Sequence, residues 1–530
     1  MTERVSVVVV GGGPTGITAA CLLARAGVDC LVLDRWAEVY PQPRAVHLDD
    51  EIYRILCRMG LGPGFAAISR PSRGLRLLDT GHEVLAEFAR AERNGVHGLP
   101  QASMFDQPEL ERLLRAGLAR LPSARFRGNA EVTGIVRHEL AGDGAVTVEW
   151  TDRETGASDA VLADYVLGCD GANSVVRKAI GARMTDLGFT QRWLVVDIAT
   201  GADLGQWEGV HQVCSPERAA TYMRIGDDRY RWEFQLLDGE SAADYPSVRE
   251  LRPLLRPWTG ETPADELKLV RVAEYTFRAR IADSWRAGPV FLLGDAAHLT
   301  PPFIGQGMGA GLRDAVNLSW KLAGVLRGEL DGSVLDSYQR ERRPHAEAMI
   351  RQAVSVGRVM TSGGRAGSLL RRVLVPVFRR LPRTNRMVLD SATPPLRRSS
   401  LVRRGWIRPG PAGRICPNLP LDGTGRRLDD LIGWRFALLC DHPVGARDRR
   451  AAERVGAAVV EVDPADPLGR WLAGGGAHTA LIRPDGTVLA TGEAARRALR
   501  SVFGSIRGRR PSSSTATPST VHKGLNFTSV

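Results

Sequence analysis

Three features of the sequence predict an α/β (α+β) fold. A β-α-β unit fills the first 35 residues, a strand-rich stretch with spaced aromatics runs from about 181 to 271, and strands alternate with helical segments again after 415. The 530 residues are enough for roughly three or four domains. Hydrophobic content of 43% and charged content of 25% are globular values, which excludes a disordered or collagen-like chain.

Val5 to Val10 reads as a buried strand, Thr15 to Ala26 as a helix closed by Gly27, and Val28 to Leu33 as the next strand. Between the first strand and the helix stands Gly11-Gly12-Gly13-Pro14-Thr15-Gly16. Gly11, Gly13 and Gly16 satisfy GxGxxG, which provides a tight turn, close backbone approach to a pyrophosphate, and close helix–strand packing. The helix N-terminus adds free amides and a positive dipole end for phosphate. Asp34, closing the second strand, stands where an acid accepts ribose hydroxyls. Strand, turn, helix and acid in this order predict a dinucleotide site.

Residues 35 to about 95 read as short helices and loops, among them Asp49 to Met59, with Ile52, Ile55, Leu56 and Met59 at helical spacing. Gln107-Pro108-Glu109 opens a further helix. Strands follow at Gly144–Trp150 and Ala163–Gly168, the second running into Cys169-Asp170-Gly171. Trp193–Ile198 and Tyr230–Phe234 represent the aromatic, strand-rich part, a composition that suits a substrate-binding layer. Pro289 to Leu293 is a buried strand entering Gly294-Asp295, with a glycine-rich loop from Pro301 to Gly311 and a helix from about Leu312 to Arg327 after it. The strands at Arg435–Cys440, Ala457–Val462 and Thr479–Ala490 indicate a small separate α/β domain.

The net charge of +12 is local. Residues 351 to 414 hold 15 Arg, no Lys and one acid, Asp390, so this proline-broken connector carries about +14 and the rest about −2. Its few aromatics, Phe378 and Trp406, do not suit base stacking, and no nucleic-acid partner is expected. No apolar run reaches the roughly 20 residues of a membrane span, and Val5–Val10 runs into a glycine turn rather than a cleavage site, so a cytoplasmic protein without a membrane partner is expected. The seven Cys form an odd set without CxxC and read as buried free thiols; no metal site is indicated. Residues from about 508 to 530 are Ser/Thr/Pro-rich and read as disordered.

Gly11–Gly16 with Asp34, Asp170-Gly171, and Gly294-Asp295 together resemble the class A FAD-dependent aromatic monooxygenases, the para-hydroxybenzoate hydroxylase family. The nearest branch is that of 3-(3-hydroxyphenyl)propionate hydroxylase. Arg44-Ala45-Val46-His47-Leu48-Asp49-Asp50-Glu51 is similar to that branch's RAxxxDDE segment, and Tyr338-Gln339-Arg340-Glu341-Arg342-Arg343-Pro344-His345 to its YQxERxxH stretch.

The resemblance implies a Rossmann-like FAD-binding domain with a β-rich substrate-binding insertion and a C-terminal thioredoxin-like α/β domain. The expected division is 1–180 and 272–350 for the FAD-binding parts, 181–271 for the insertion, 351–414 for the connector, 415–506 for the C-terminal domain and 507–530 for the tail. It also places Gly11, Gly13, Pro14, Thr15 and Gly16 on the FAD pyrophosphate and Asp34 on the ribose, with Arg35 and Arg44 nearby. Gln107, or alternatively Gln101, belongs near the ribose and ribityl region. Asp170 and Gly171 touch FAD and the passing NAD(P)H, Gly294-Asp295 meets the ribityl chain, and the Gly305-Gln306-Gly307-Met308 backbone borders the isoalloxazine. Pro301 and His47 are the candidates to face the aromatic small-molecule substrate, whereas His298 reads as a packing residue. The implied reaction is NAD(P)H-consuming hydroxylation of a phenolic or polycyclic aromatic compound through a flavin C4a-hydroperoxide. Epoxidation or Baeyer–Villiger insertion on the same scaffold is the alternative, and a basic nucleic-acid-binding flavoprotein a remote one. Without CxxC, the C-terminal domain is read as a support or a homodimer contact.

Overall fold

The computed structural model describes residues 3–41, 44–90, 94–138, 144–215, 217–361, 393–405, 410–421 and 425–501. The helical pieces expected near Leu369–Phe378, eight of the fifteen connector arginines and the expected disordered tail lie outside them.

The first sheet has eight strands around a parallel centre. Glu3–Val10 lies between Cys30–Leu33 and Ser158–Gly168, and Val290–Leu292 extends the parallel run beyond the latter. Strands buried on both faces need continuous apolar sequence, and Val7, Val8 and Val9 are fully buried. Each such side chain contributes about 1.5–3 kcal/mol relative to exposure. Helix Pro14–Arg25 packs on this sheet, and helix Gly307–Leu326 packs on that helix.

The second sheet, also eight-stranded, is built on the long strands Met184–Ala199 and Lys268–Ala282. It draws on more chain than 181–271. Gly74–Leu78 and Val84–Ala89 form a hairpin whose first strand pairs in parallel with Val210–Val213, and His298–Leu299 closes the opposite edge. The region read as helices and loops between 35 and 95 thus also contains strands, because the Gly74–Ala89 residues complete a distant sheet. One face of this sheet packs Leu194, Val196, Tyr222, Trp232 and Phe234 against helix Val248–Thr259 through Leu251, Leu255 and Trp258. The other face is turned inward.

In the C-terminal part, Ala458–Glu461, Ala437–Cys440, Thr479–Ile482 and Val488–Thr491 make a four-stranded mixed sheet with three flanking helices, the thioredoxin-like arrangement. Burial pushes the Cys416 thiol up to about 12, so it is inert to thiol exchange at neutral pH. Five of the seven free cysteines are buried as expected; Cys57 is exposed and Cys169 partly so. Among the described residues no cluster fits a metal ion, and no helix is long and apolar enough to cross a membrane.

Candidate active site

The three motifs converge at one end of the first sheet. Register pairs Val10 with both Leu33 and Gly168, and Gly168 with Leu292. The residues that follow, Gly11, Asp34, Asp170 and Gly294-Asp295, therefore emerge side by side at the carboxyl ends of four parallel strands, where open α/β sheets bind ligands.

The glycine turn separates into positions the protein itself requires and one it does not. Gly11 has φ +103°, and a Cβ there would sit 2.4 Å from the Cys169 carbonyl oxygen; one on Gly16 would sit 2.0 Å from the Gly11 oxygen. A Cβ on Gly13 would meet nothing within 4 Å. Gly13 is the N-cap of helix Pro14–Arg25, with no side-chain cap and no acid in the first turn, so the Thr15 and Gly16 amides face that open edge. Asp34 braces the turn, its Oδ2 accepting from the Gly12 amide (2.5 Å) and its Oδ1 from Trp36 N (2.7 Å). Arg35 stays exposed over the Trp36 ring. Thr15 interlocks the motifs, because a Cβ on Gly294 or Gly311 would fall 2.9 or 2.2 Å from its Oγ1.

Asp295 is solvent-exposed, yet burial by surrounding protein pushes its carboxyl pKa up, against the pull of His298 and Arg44. The exposed carboxyl stands at the strand ends, where the surrounding protein disfavours its charge. Its carboxylate makes no hydrogen bond among the described residues. The turn that carries it is fixed from behind by Asp314, which accepts from Gly294 N (3.1 Å), His298 Nε2 (2.7 Å) and Arg342 Nε (2.8 Å). Burial alone would raise the Asp314 pKa, but His298 and Arg342 hold it low. His298 is thus a packing and bracing residue, stacked on Trp285, as the sequence reading has it.

Asp170 and Gln107 are engaged more by the protein than the sequence reading assigned them. Asp170 accepts from Ser174 Oγ and the Val175 and Val176 amides (2.5, 2.6 and 3.1 Å), capping helix Val175–Ala179, while Gly171 at φ +79° leaves open space beside it. Gln107 Oε1 accepts from the amides of Arg44 and Ala45 (3.1 and 2.5 Å) and its Nε2 donates to Glu111 (2.6 Å). Its side chain sets the path of the Arg44 segment, a role that contacts some 60 residues apart hide from motif reading.

That segment reaches the glycine-rich turn. His47 Nδ1 lies 3.4 Å from the Gly305 oxygen, and Gly305 is left-handed at φ +62°. Burial, then Arg90, push the His47 pKa down to about 4, so the ring is neutral at pH 7. Pro301 opens the short turn Pro302–Ile304, which leads into helix Gly307–Leu326. This second helix also lacks a side-chain N-cap and a first-turn acid, leaving the Gly307 and Met308 amides free of helical partners. The Gln306 side chain is buried: Nε2 donates to Asp49 Oδ2 (2.9 Å) and Oε1 accepts from Arg313 (2.9 Å). Only its backbone is available to a ligand.

Adjacent acids behave oppositely in this network. Asp49 caps Ile52 N (2.9 Å) and pairs with Arg313 (2.6 Å); burial opposes ionisation, but Arg313 holds its carboxyl below the usual range. Burial, then the Asp49 charge, push Asp50 up to about 7. A carboxyl whose pKa rises on folding favours the native state below its unfolded pKa and loses that contribution as pH rises through about 7. Asp50→Asn is therefore expected to raise Tm at pH 8 and leave it unchanged at pH 4, as thermal melts at the two pH values will show.

A cofactor fit follows from the open positions. The Gly13 edge with its uncapped amides accommodates a pyrophosphate, the unpartnered Asp295 carboxylate accommodates a polyhydroxyl chain, and both lie along one strand-end cleft. Surface depressions elsewhere, such as the one lined by Asp164, Tyr165, Arg286 and Pro289, lie toward the opposite ends of the same strands.

Residues 4–353 match the FAD binding domain family. The chain is 34% identical over 504 residues to a "Probable NADH-specific resorcinol 4-hydroxylase" of Rhodococcus jostii (strain RHA1), covering 92% of each protein. It is 31% identical over 544 residues to a "3-(3-hydroxy-phenyl)propionate/3-hydroxycinnamic acid hydroxylase" of Escherichia coli O81 (strain ED1a), covering 99% of this chain and 94% of that one. Among solved structures, aklavinone-11 hydroxylase with FAD and aklavinone superposes with a TM-score of 0.79 at 25% identity, covering 96% of this chain and 99% of that one. With strand-end geometry, family match and full-length relatives in agreement, the chain belongs to the FAD-binding family of flavin-dependent aromatic hydroxylases.

Proposed function

We propose that this protein is a cytoplasmic, FAD-dependent hydroxylase of a small phenolic compound, with NADH as electron donor. The observation that carries this reading is the convergence of Gly11–Gly16, Asp34, Asp170 and Asp295 at the ends of four parallel strands, with Gly13 and Asp295 left open to a ligand. The relatives named for resorcinol and hydroxyphenylpropionate support the phenolic class, and the Rhodococcus relative supports NADH.

In this reading Gly11, Gly13, Pro14, Thr15 and Gly16 hold the pyrophosphate, Asp34 the adenosine ribose, and Asp295 the ribityl hydroxyls. Arg35, Arg44 and Gly171 border the cofactor, whereas Gln107, Asp170 and Gly294 shape the backbone around it. The Gly305-Gln306-Gly307-Met308 backbone borders the isoalloxazine, and the free amides of Gly307 and Met308 receive its electron-rich edge, favoured by the helix dipole. When bound, the flavin supplies hydride acceptance and oxygen activation. The chain's own residues orient the aromatic ring and exclude water, with Pro301 and the neutral His47 beside it. Residues 1–180 and 272–350 form the cofactor part, 181–271 supply most of the substrate layer, and 415–506 form an appendage.

NADH oxidation by the purified yellow protein tests this reading. Resorcinol or 3-(3-hydroxyphenyl)propionate is expected to accelerate it at least about tenfold, since substrate binding should gate flavin reduction. A protein that binds no FAD, or whose NADH oxidation no phenol changes, would overturn the proposal.

A further inference from the structure

The inner face of the second sheet carries an acid, Glu233, without a protein partner among the described residues. Along strand Arg229–Gln235, Tyr230, Trp232 and Phe234 enter the outer core, so Arg231, Glu233 and Gln235 point inward. Directly opposite Glu233 stand Val195 and Thr221, and the row continues to Ala273 on one side and to Gln212 and Leu77 on the other. Glu233 is thus a single acid in a row of apolar and small polar residues.

Its neighbours fix what this face looks at. Two positions along the strand, Gln235 pairs with Trp193, whose ring lies 5.9 Å from Phe303 in the turn before Gly305. Two positions the other way, Arg231 donates to the Arg44 carbonyl (3.0 Å). The Phe303–Gly305 turn and the Arg44–His47 segment meet at the His47–Gly305 contact. Glu233 therefore lies on the strand between the position whose partner Trp193 touches the flavin-edge turn and the one that holds the Arg44 segment.

The charged groups around it already have partners. Arg231 grips both oxygens of Asp197 (2.7 and 3.0 Å), Arg271 hydrogen-bonds Tyr275, and Thr221 donates to Gln212 (2.9 Å). The Glu233 carboxylate has neither hydrogen bond nor ion pair among the described residues, although it is half-buried. A desolvated carboxylate without a donor is costly unless a ligand supplies one.

We infer that Glu233 is a catalytic residue for the proposed hydroxylation: its carboxylate accepts the hydrogen bond of the substrate's phenol hydroxyl. This rests on the reading of the preceding subsection. The hydrogen bond draws the hydroxyl proton toward Glu233 without transferring it, raises electron density on the ring to be oxygenated, and fixes which ring edge faces the flavin. It selects hydroxyl donors and disfavours a carboxylate at that position. The charged groups acting on Glu233 are Arg231, Asp197 and Arg271 on its own sheet, where Tyr275 bonds Arg271; Arg44 and His47 belong to the segment whose backbone Arg231 holds. Burial raises the Glu233 pKa while Arg231 opposes and Asp197 reinforces that shift, so the ionised form is lost above the pH at which an exposed glutamate would protonate.

Glu233→Gln in the FAD-loaded enzyme tests the assignment, with resorcinol and its dimethyl ether as probes and kcat/KM followed from pH 5 to 9. The variant is expected to keep its FAD absorbance and Tm, to lose about 10- to 100-fold in kcat/KM for resorcinol, the size of one hydrogen bond to a charged group, and to lose the low-pH limb of the wild-type profile. Discrimination between resorcinol and its ether should shrink by the same factor. Wild-type kcat/KM and pH profile in the variant would overturn the assignment, and so would loss of FAD, which would make Glu233 structural. A wild-type enzyme that no phenol stimulates would instead remove the underlying function, a result distinguishable because it needs no variant.

Discussion

Gly13→Ala is expected to fold as stably as the parent apoprotein and yet to bind FAD at least about tenfold more weakly, because the added methyl group meets no protein atom but fills the edge where a pyrophosphate must approach. The backbone at Gly13, φ −76° and ψ −177°, suits alanine without strain. Gly16→Ala is the contrasting case. Its Cβ would lie 2.0 Å from the Gly11 oxygen and 3.2 Å from Cys169 Cβ, so the helix must move off the sheet. That variant should lose both Tm and cofactor. Melting curves of the apoproteins and FAD titrations separate the two outcomes; equal loss of Tm in both variants would mean that the turn is only a packing device.

Removing the Glu341 carboxylate is expected to cost about 3–5 kcal/mol, because it leaves buried cations without their counter-charge. Glu341 Oε2 accepts from Lys321 (2.9 Å), Arg483 (3.0 Å) and Asn317 (2.9 Å), and Oε1 accepts from Ser399 (2.6 Å). Glu341, Lys321 and Arg483 are fully buried. Burial alone would raise the carboxyl pKa, but Arg483 and Lys321 outweigh it and hold it at about 2. Its contribution is therefore complete above pH 4.5, its ordinary value, and is lost as pH falls toward 2. Arg483 belongs to the C-terminal sheet region, and Arg342, which follows Glu341, anchors Asp314 behind the Gly294 turn. Glu341→Leu should thus lower both Tm and FAD affinity, and denaturant melts with and without FAD measure both. The exposed pair Arg256–Glu261 serves as the control, where Glu261→Ala should leave Tm unchanged.

These cases show what the sequence disclosed and what it did not. The strand-end positions of the glycine turn, Asp34, Asp170 and Asp295 are legible because each is local: a strand and the turn that follows it carry the whole signal. Gly74–Leu78 is not, since its parallel partner Val210–Val213 is more than a hundred residues away and only the assembled sheet makes it a strand. Gln107 and Asp170 read as ligand contacts because motifs record position, not which partner occupies a side chain. Glu233 could have been found: an acid between Trp232 and Phe234 in a strand whose alternate residues are aromatic must face the opposite side. What no pattern supplied was the character of that side, which depends on Phe303 and Arg44 arriving from distant parts of the chain. The Arg-rich connector remains a local charge feature; of its described arginines, Arg351 pairs with Glu347 and Arg358 donates to the Gly188 carbonyl.

The most direct measurement of the central claim is turnover of resorcinol by the FAD-loaded protein with NADH under isotopically labelled dioxygen, followed by mass analysis of the product. A ring-hydroxylated product carrying one labelled oxygen atom is expected, with NADH consumed in proportion. An unlabelled product, or consumption of NADH and dioxygen with no oxygen in the ring for any phenol tried, would contradict it.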